Sequence, residues 1–290
     1  MSKVFLVTGA GRGLGRSIVE AALAAGHQVV AGVRNPSQLD GLVGLHREAL
    51  RPVALDVADV DAATAAVREA VDLFGRLDVV VNNAGYANVA SVEEMGVEDF
   101  RAQIDTNLFG VFNVTKAALP VMRAQGAGHV IQISSVGGRL ATPGLCAYQA
   151  AKWAVGGFSS VLAAEVGPLG IKVTVLEPGG MRTEWAGSSM TIHPVSGPYE
   201  PTVGAMARRF ETSGATMAGD PAKVAQVVLT VADLDEPPLR LVLGSDAVKY
   251  ATAAAEEQAA SDLRWRDLSV STDHDDATPA QLDPLAAREA

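Results

Sequence analysis

Tyr148 and Lys152 stand four residues apart in a chain of 290, so on a helix they lie one above the other on the same face. An ammonium beside a phenol favours the phenolate, lowering a pKa of about 10 toward neutrality. A tyrosine tuned in that way can release a proton in one direction of a reaction and recover it in the other. Ser135 precedes Tyr148 by thirteen residues and follows an apolar run, a position from which its hydroxyl can hold a substrate oxygen. Near the N-terminus, Thr8-Gly9-Ala10-Gly11-Arg12-Gly13-Leu14-Gly15 packs four glycines into seven positions. Such a cluster lets the chain turn sharply and brings backbone N–H groups and a helix N-terminus up to a phosphate. Each feature also has an ordinary reading. Tyrosine–lysine pairs occur on plain helix surfaces, serine pairs mark turns, and glycine clusters mark tight bends.

The elements that must position these residues are visible in the hydrophobic pattern. Val4–Val7, Val29–Val33, Pro52–Asp56, Val79–Asn82, Val130–Ser134, Val173–Glu177 and Leu239–Leu243 read as strands, nearly continuous in apolar character, as when helices cover both sheet faces. Helical patterns lie between them, such as Leu14, Ile18, Ala22 and Ala25. Strand–helix alternation implies right-handed crossovers and an open parallel sheet. The expected architecture is α/β, a single doubly wound domain of Rossmann type over residues 1–270 with a parallel sheet of about seven strands. Residues 184–220, rich in Gly, Ser, Pro and Thr with little periodicity before Val203–Phe210, read as a lid insertion on the substrate side. Residues 271–290 are polar, acidic and proline-containing, and read as a disordered tail.

The spacing Gly9-x3-Gly13-x-Gly15 after a first strand resembles the short-chain dehydrogenase/reductase family. Further segments match in order. Asn82-Asn83-Ala84-Gly85 is similar to the family's NNAG segment, Ser135 with Tyr148 and Lys152 to its serine and YxxxK pair, and Pro178-Gly179-Gly180-Met181-Arg182-Thr183 to its PGxxxT segment. Asn107 falls where the family carries a fourth catalytic residue. The resemblance covers roughly residues 3–245. It implies hydride transfer between a nicotinamide and a ketone or secondary alcohol. Asn107, Ser135, Tyr148 and Lys152 would be catalytic, Asn107 holding a water in a proton relay and Lys152 also touching the nicotinamide ribose. Gly9, Gly11, Arg12, Gly13, Leu14, Gly15, Asn83, Ala84, Gly85, Pro178, Gly179, Met181 and Thr183 would contact the cofactor, Thr183 at the carboxamide. Asp56 and Val57 match the position that contacts adenine.

Cofactor choice has its own signal. An acid at the end of the second strand accepts hydrogen bonds from the ribose 2′-hydroxyl and selects NAD. Here that strand runs into Val33-Arg34-Asn35, and no acid appears before Asp40. Arg34 offers a planar, permanently charged fork suited to a 2′-phosphate, and Arg12 can reach the same group from the glycine loop. The expectation is NADP(H) rather than NAD(H).

Composition excludes other classes. Net charge is −10, with 13 acids against 5 bases in residues 233–290, a poor balance for binding nucleic acid. The five histidines are scattered and the single cysteine, Cys146, has no cysteine partner, so neither a metal site nor a disulfide framework is expected. No apolar run approaches the roughly 20 residues of a membrane helix, and a cytoplasmic location is expected. Residues 87–97 and 185–218, Trp185 and Met181 among or beside them, are expected to shape a pocket for a neutral, partly apolar substrate, in a homo-dimer or homo-tetramer. Two rivals share the fold: an epimerase or dehydratase, for which the longer substrate domain is missing, and a non-catalytic NADP(H)-binding sensor or scaffold, which would not need the intact set Asn107, Ser135, Tyr148 and Lys152.

Overall fold

Seven parallel strands in a computed structural model of the chain form one sheet, in the order β3-β2-β1-β4-β6-β7-β9. Residues 2–183, 190–213 and 216–284 are described. The strands are β1 (Val4–Thr8), β2 (Gln28–Val33), β3 (Leu50–Ala54), β4 (Val79–Asn82), β5 (Ala87–Val89), β6 (Gly128–Ile133), β7 (Ile171–Pro178), β8 (Met190–Ile192) and β9 (Arg240–Leu243). The helices are α1 (Gly13–Ala24), α2 (Asp40–Leu45), α3 (Val60–Phe74), α4 (Val97–Ile104), α5 (Gly110–Gln125), α6 (Cys146–Val166), α7 (Ala205–Ser213), α8 (Pro221–Asp233), α9 (Ser245–Arg264), α10 (Arg266–Val270) and α11 (Pro279–Leu282).

The valine-rich strands work because both sheet faces are buried. Phe5, Val7, Val29, Ala31, Val79 and Val81 pack on one side with Ile18 and Val19 of α1 and Val228 of α8. Val4, Leu6, Val30 and Val80 alternate onto the other side with Val67 of α3, Val114 of α5 and Leu162 of α6. All seven sequence-read strands are present. The third is Leu50–Ala54 rather than Pro52–Asp56, so Asp56 and Val57 lie just beyond the strand instead of ending it. Pro52 sits inside β3, at an outer edge of the sheet, where the missing N–H disrupts no second ladder.

Strand order reverses between β1 and β4, and the crevice beyond their carboxyl ends is where open α/β sheets take ligands. That crevice is stitched closely. Thr8 Oγ1 accepts hydrogen bonds from the N–H groups of Asn83 and Ala84, both at 3.0 Å, and Asn83 Nδ2 donates to the Thr8 carbonyl at 2.9 Å.

A second, two-stranded sheet was not legible in the sequence. β5 pairs in parallel with β8, which belongs to the 184–220 insertion. Thus part of the insertion is regular: β8, and the turn Glu200–Gly204 running into the helix α7, across which the Val203–Phe210 pattern lies. The chain divides into two compact units, Met1–Ala251 and Thr252–Ala290, with the division falling before residue 270. In the second unit the described residues beyond 270 are exposed apart from the half-buried Ala277, and they include the single turn α11. No helix among the described residues is long and apolar enough to cross a membrane.

Candidate active site

The glycine loop links β1 to α1 at the crevice. Gly9 and Gly13 have φ of +64° and +52°, the left-handed region in which a side chain is strained. A Cβ on Gly15 would collide with the Gly9 carbonyl oxygen. The N-cap position of α1 is Arg12, whose side chain makes no capping hydrogen bond, so the helix presents its first N–H groups and positive dipole end outward. Thr183 comes within 3.6 Å of where a Gly13 Cβ would stand, which brings the PGGMRT segment to the loop. This cradle fits the pyrophosphate of a dinucleotide.

Gly85 ends the NNAG segment, and its missing side chain lets two functional groups approach. A Cβ there would lie 2.5 Å from Asn107 Oδ1 and 3.6 Å from Lys152 Nζ. Asn107 is fully buried in a single π-helical turn, Asp105–Phe109, between α4 and α5. Such turns are rare and concentrate at functional sites. Its Oδ1 accepts from the Tyr86 N–H at 3.1 Å, while Nδ2 donates to the carbonyls of Tyr86 and Gln103, both at 2.8 Å. The amide therefore clamps the NNAG segment to the helices and has no N–H left for a water.

Tyr148 and Lys152 lie on the buried face of α6, and Ser135 opens the turn Val136–Gly138 after β6. The Ser135 oxygen accepts from the Gly137 N–H at 3.0 Å. Its own hydrogen is free to point at the Tyr148 hydroxyl, with which it is hydrogen-bonded. Lys152 Nζ donates to the Ile133 carbonyl at 2.8 Å and sits 5.6 Å from the centre of the Tyr148 ring.

One sequence expectation is corrected here. Lys152 was expected to draw the Tyr148 pKa toward neutrality, but burial pushes it up to about 12, against the opposing hydrogen bond from Ser135. The ammonium lies over the ring and is tied to a carbonyl, so it does not offset the loss of water around the phenol oxygen. Burial also brings Lys152 down to about 8.

Beside Tyr148 lies an apolar cluster of Ala87, Val89, Leu145, Val203 and Ala207, flanked by Met190, Ile192, Tyr199 and Phe210. Thr191, His193 and Tyr199 of the 184–220 insertion are pinned to the body by polar contacts. Thr191 N–H donates to Asn88 Oδ1 at 3.1 Å, His193 Nε2 meets Asp99 Oδ2 at 3.0 Å, and the Tyr199 hydroxyl donates to Glu93 Oε2 at 2.5 Å. Leu145 was not singled out from the sequence, and nothing in its surroundings there marks it as different from other loop leucines. Cys146 packs with its sulfur 3.7 Å from Met95 Sδ, and burial raises its thiol pKa, as suits a wall residue. Trp185 lies outside the described residues.

The remaining cofactor candidates fall into two groups. Arg34 is exposed just past β2. Arg12 is exposed on the glycine loop. Gln38, which sequence reasoning passed over, leans across Gly11 from the turn after β2. By contrast Val57 is buried against Gly110 of α5 and its carbonyl accepts from Asn113 Nδ2 at 3.1 Å, while Asp56 accepts from the Ala58 N–H at 3.0 Å. Leu14 is buried in the core. Met181 packs partly against the same cluster, and Arg182 beside it donates to the Met217 carbonyl at 2.6 Å. A cavity of about 450 Å³ opens there, lined by Arg182, Gly219, Asp220 and Lys223.

Comparison with known proteins bears on the whole arrangement. The family model described as short chain dehydrogenase matches residues 3–191. The chain belongs to the short-chain dehydrogenase/reductase family. It is 54% identical over 273 residues to Oxidoreductase BOA17 of Botryotinia fuckeliana, covering 94% of this chain and 100% of that one. A short-chain dehydrogenase from Streptomyces avermitilis superposes with a TM-score of 0.88 at 38% identity, covering 94% of this chain and all of that chain. A serine dehydrogenase complexed with NADP+ gives 0.72 at 29% identity, over 83% of this chain and 94% of that one. A 3-ketoacyl-(acyl-carrier-protein) reductase from Brucella melitensis complexed with NADH gives 0.69 at 26%, over 83% and 96%. As a short-chain dehydrogenase/reductase the chain is an oxidoreductase, and the seven-stranded parallel sheet is the sheet of that family.

Proposed function

We propose that this short-chain dehydrogenase/reductase is an NADP(H)-dependent enzyme acting on a ketone or secondary alcohol of partly apolar character, with Ser135, Tyr148 and Lys152 as its proton-handling residues and Asn107, the fourth member of the set, holding the NNAG segment beside Lys152. The observation that carries the reading is the Ser135–Tyr148 hydroxyl pair, placed between the Lys152 side chain and the Ala87–Leu145–Val203 cluster. Ser135 holds the substrate oxygen, and Tyr148 moves the proton at its phenol oxygen. Lys152 supplies a cation over the ring and a donor beside Gly85. The apolar cluster excludes water and seats the body of the substrate. A bound nicotinamide would supply or accept the hydride.

NADP(H) is proposed over NAD(H) because an arginine, not an acid, follows β2, and a second arginine stands on the glycine loop. The neighbours include both an NADP+ and an NADH complex, so the choice rests on Arg34 and Arg12. A homo-oligomer is proposed from the exposed Phe112, Trp153 and Val161 on α5 and α6 and Phe109 beside them. The test is a panel of cyclohexanone, acetophenone, 2-decanone and their alcohols, followed by nicotinamide absorbance with NADPH and NADH, with mass from light scattering. Absence of turnover across the panel while the protein binds NADPH would favour a sensor over an enzyme.

A further inference from the structure

Glu177 is fully buried near the end of β7, an environment in which an isolated carboxylate is strongly disfavoured. Two arginines reach it. From the neighbouring β9, Arg240 donates to Oε1 through Nε at 3.1 Å and Nη2 at 2.6 Å. From the other side Arg139 Nη2 stands 2.5 Å from Oε2, an ion contact without hydrogen-bond alignment. Apolar replacements of such clusters are often as stable, so stability alone is a weak reason for one. What the cluster does supply is a fixed junction.

Each arm leads to a part of the active site. Arg139 closes the turn that Ser135 opens: Gly138 N–H donates to the Ser135 carbonyl and Arg139 N–H to the Val136 carbonyl, both at 2.9 Å. That turn rests on α6, since a Cβ on Gly138 would meet the Lys152 carbonyl oxygen at 2.9 Å. The Arg240 guanidinium lies against Gly156, where a Cβ would stand 2.7 Å from Nη2, one turn of α6 beyond Lys152. Glu177 itself immediately precedes the PGGMRT segment. We propose that Glu177, through Arg139 and Arg240, is a positioning residue that fixes the Ser135 turn against the Tyr148–Lys152 helix. Its effect on turnover rests on the catalytic reading above; its effect on the turn does not.

Arg139→Met is the cleaner variant, because it leaves the Glu177–Arg240 pair in place; Glu177→Gln is the stronger one. Hydrogen exchange is measured on the amides of residues 137–139 and, as a control, of 29–33, alongside kcat and KM for the panel ketone the wild type reduces fastest, and NADPH binding by fluorescence. In Arg139→Met, exchange in the turn is expected to quicken about tenfold with the control strand unchanged. The kcat should fall about tenfold or more, with the NADPH dissociation constant within about threefold of wild type. Arg139→Lys should recover part of both losses. Wild-type exchange across the turn, or wild-type kcat despite faster exchange, overturns the proposal. If the wild type reduces no panel ketone, the catalytic reading fails, and the exchange rates alone still decide whether the cluster holds the turn.

Discussion

Burial holds Tyr148 in its protonated form, while Ser135 donates a hydrogen bond to its oxygen. A phenol pushed up to about 12 is protonated throughout the neutral range, present as the acid form and scarcely at all as the base. Reduction of a ketone should therefore vary less than about threefold between pH 6 and 8, while alcohol oxidation climbs steadily from pH 6 to 9. Initial rates in both directions across that range check it; an oxidation rate flat with pH would mean that Tyr148 is not the base. Tyr148→Phe keeps the ring and removes the proton, so NADPH affinity should stay near wild type while turnover falls about 10²–10⁴-fold. Arg34 is argued at the same scale. A charge-assisted hydrogen bond to a phosphate contributes roughly 1.5–3 kcal/mol, equivalent to about ten- to a hundredfold in affinity. Arg34→Asp also sets a carboxylate against that phosphate, so kcat/KM with NADPH should drop by at least that factor and NADH should come closer to parity. A wild type that prefers NADH, or an unchanged ratio in the variant, removes Arg34 from cofactor choice.

At the scale of the elements, β6 contains a histidine that reports on the sheet. His129 is buried, and its Nε2 lies 3.0 Å from Thr174 Oγ1 on β7. Thr174 donates its own hydrogen to the Pro238 carbonyl, so the imidazole must be the donor to Thr174, with Nδ1 unprotonated and unpartnered. Burial lowers the His129 pKa from 6.5 to about 3. Below pH 6.5 the unfolded chain therefore binds a proton that the folded chain refuses, and the stability this confers at neutral pH is lost as pH falls toward 3. The loss should reach about 2 kcal/mol by pH 5, and His129→Gln should flatten that limb of the denaturation curve. Equal acid sensitivity in the two proteins would show that the ring is protonated in the fold. The strands were legible because continuous burial on both faces writes itself as valine runs, and the gathering of Asn107, Tyr148 and Lys152 because they follow those strands at fixed distances. The β5–β8 pair was not, since Asn88 and Thr191 meet across 103 positions in strands of three residues each. Glu177 was read only as a strand end, because its partner Arg240 lies 63 positions away and nothing local announces the pair. The Tyr148 pKa was misread for a related reason: spacing shows that Lys152 is near, but only the fold shows how dry the phenol is.

Taken whole, the molecule carries its charge unevenly, with the excess of acids toward the C-terminal end. Residues 271–290 hold five acids and one base, so removing them would move the formal net charge from −10 to −6. The described side chains in that stretch are exposed, apart from the half-buried Ala277. Local bonds, such as Thr278 N–H to Gln281 Oε1 at 2.9 Å and Ala277 N–H to the His274 carbonyl at 3.0 Å, span three positions. A segment that buries so little contributes little to cooperative folding. The site's named residues, from Gly9 to Phe210, all belong to the Met1–Ala251 unit. Deleting 271–290 should thus leave Tm within about 2 °C of the full chain and kcat unchanged, while the protein elutes earlier from an anion exchanger. Calorimetry and steady-state rates on the truncated chain decide it. A fall in Tm of about 5 °C or more would show that the acidic end is held by the rest of the protein. A fall in kcat at unchanged Tm would place it in the reaction instead, and would require that its charge, which the chromatography tracks separately, be tested next by substituting Asp273, Asp275 and Asp276 with asparagine.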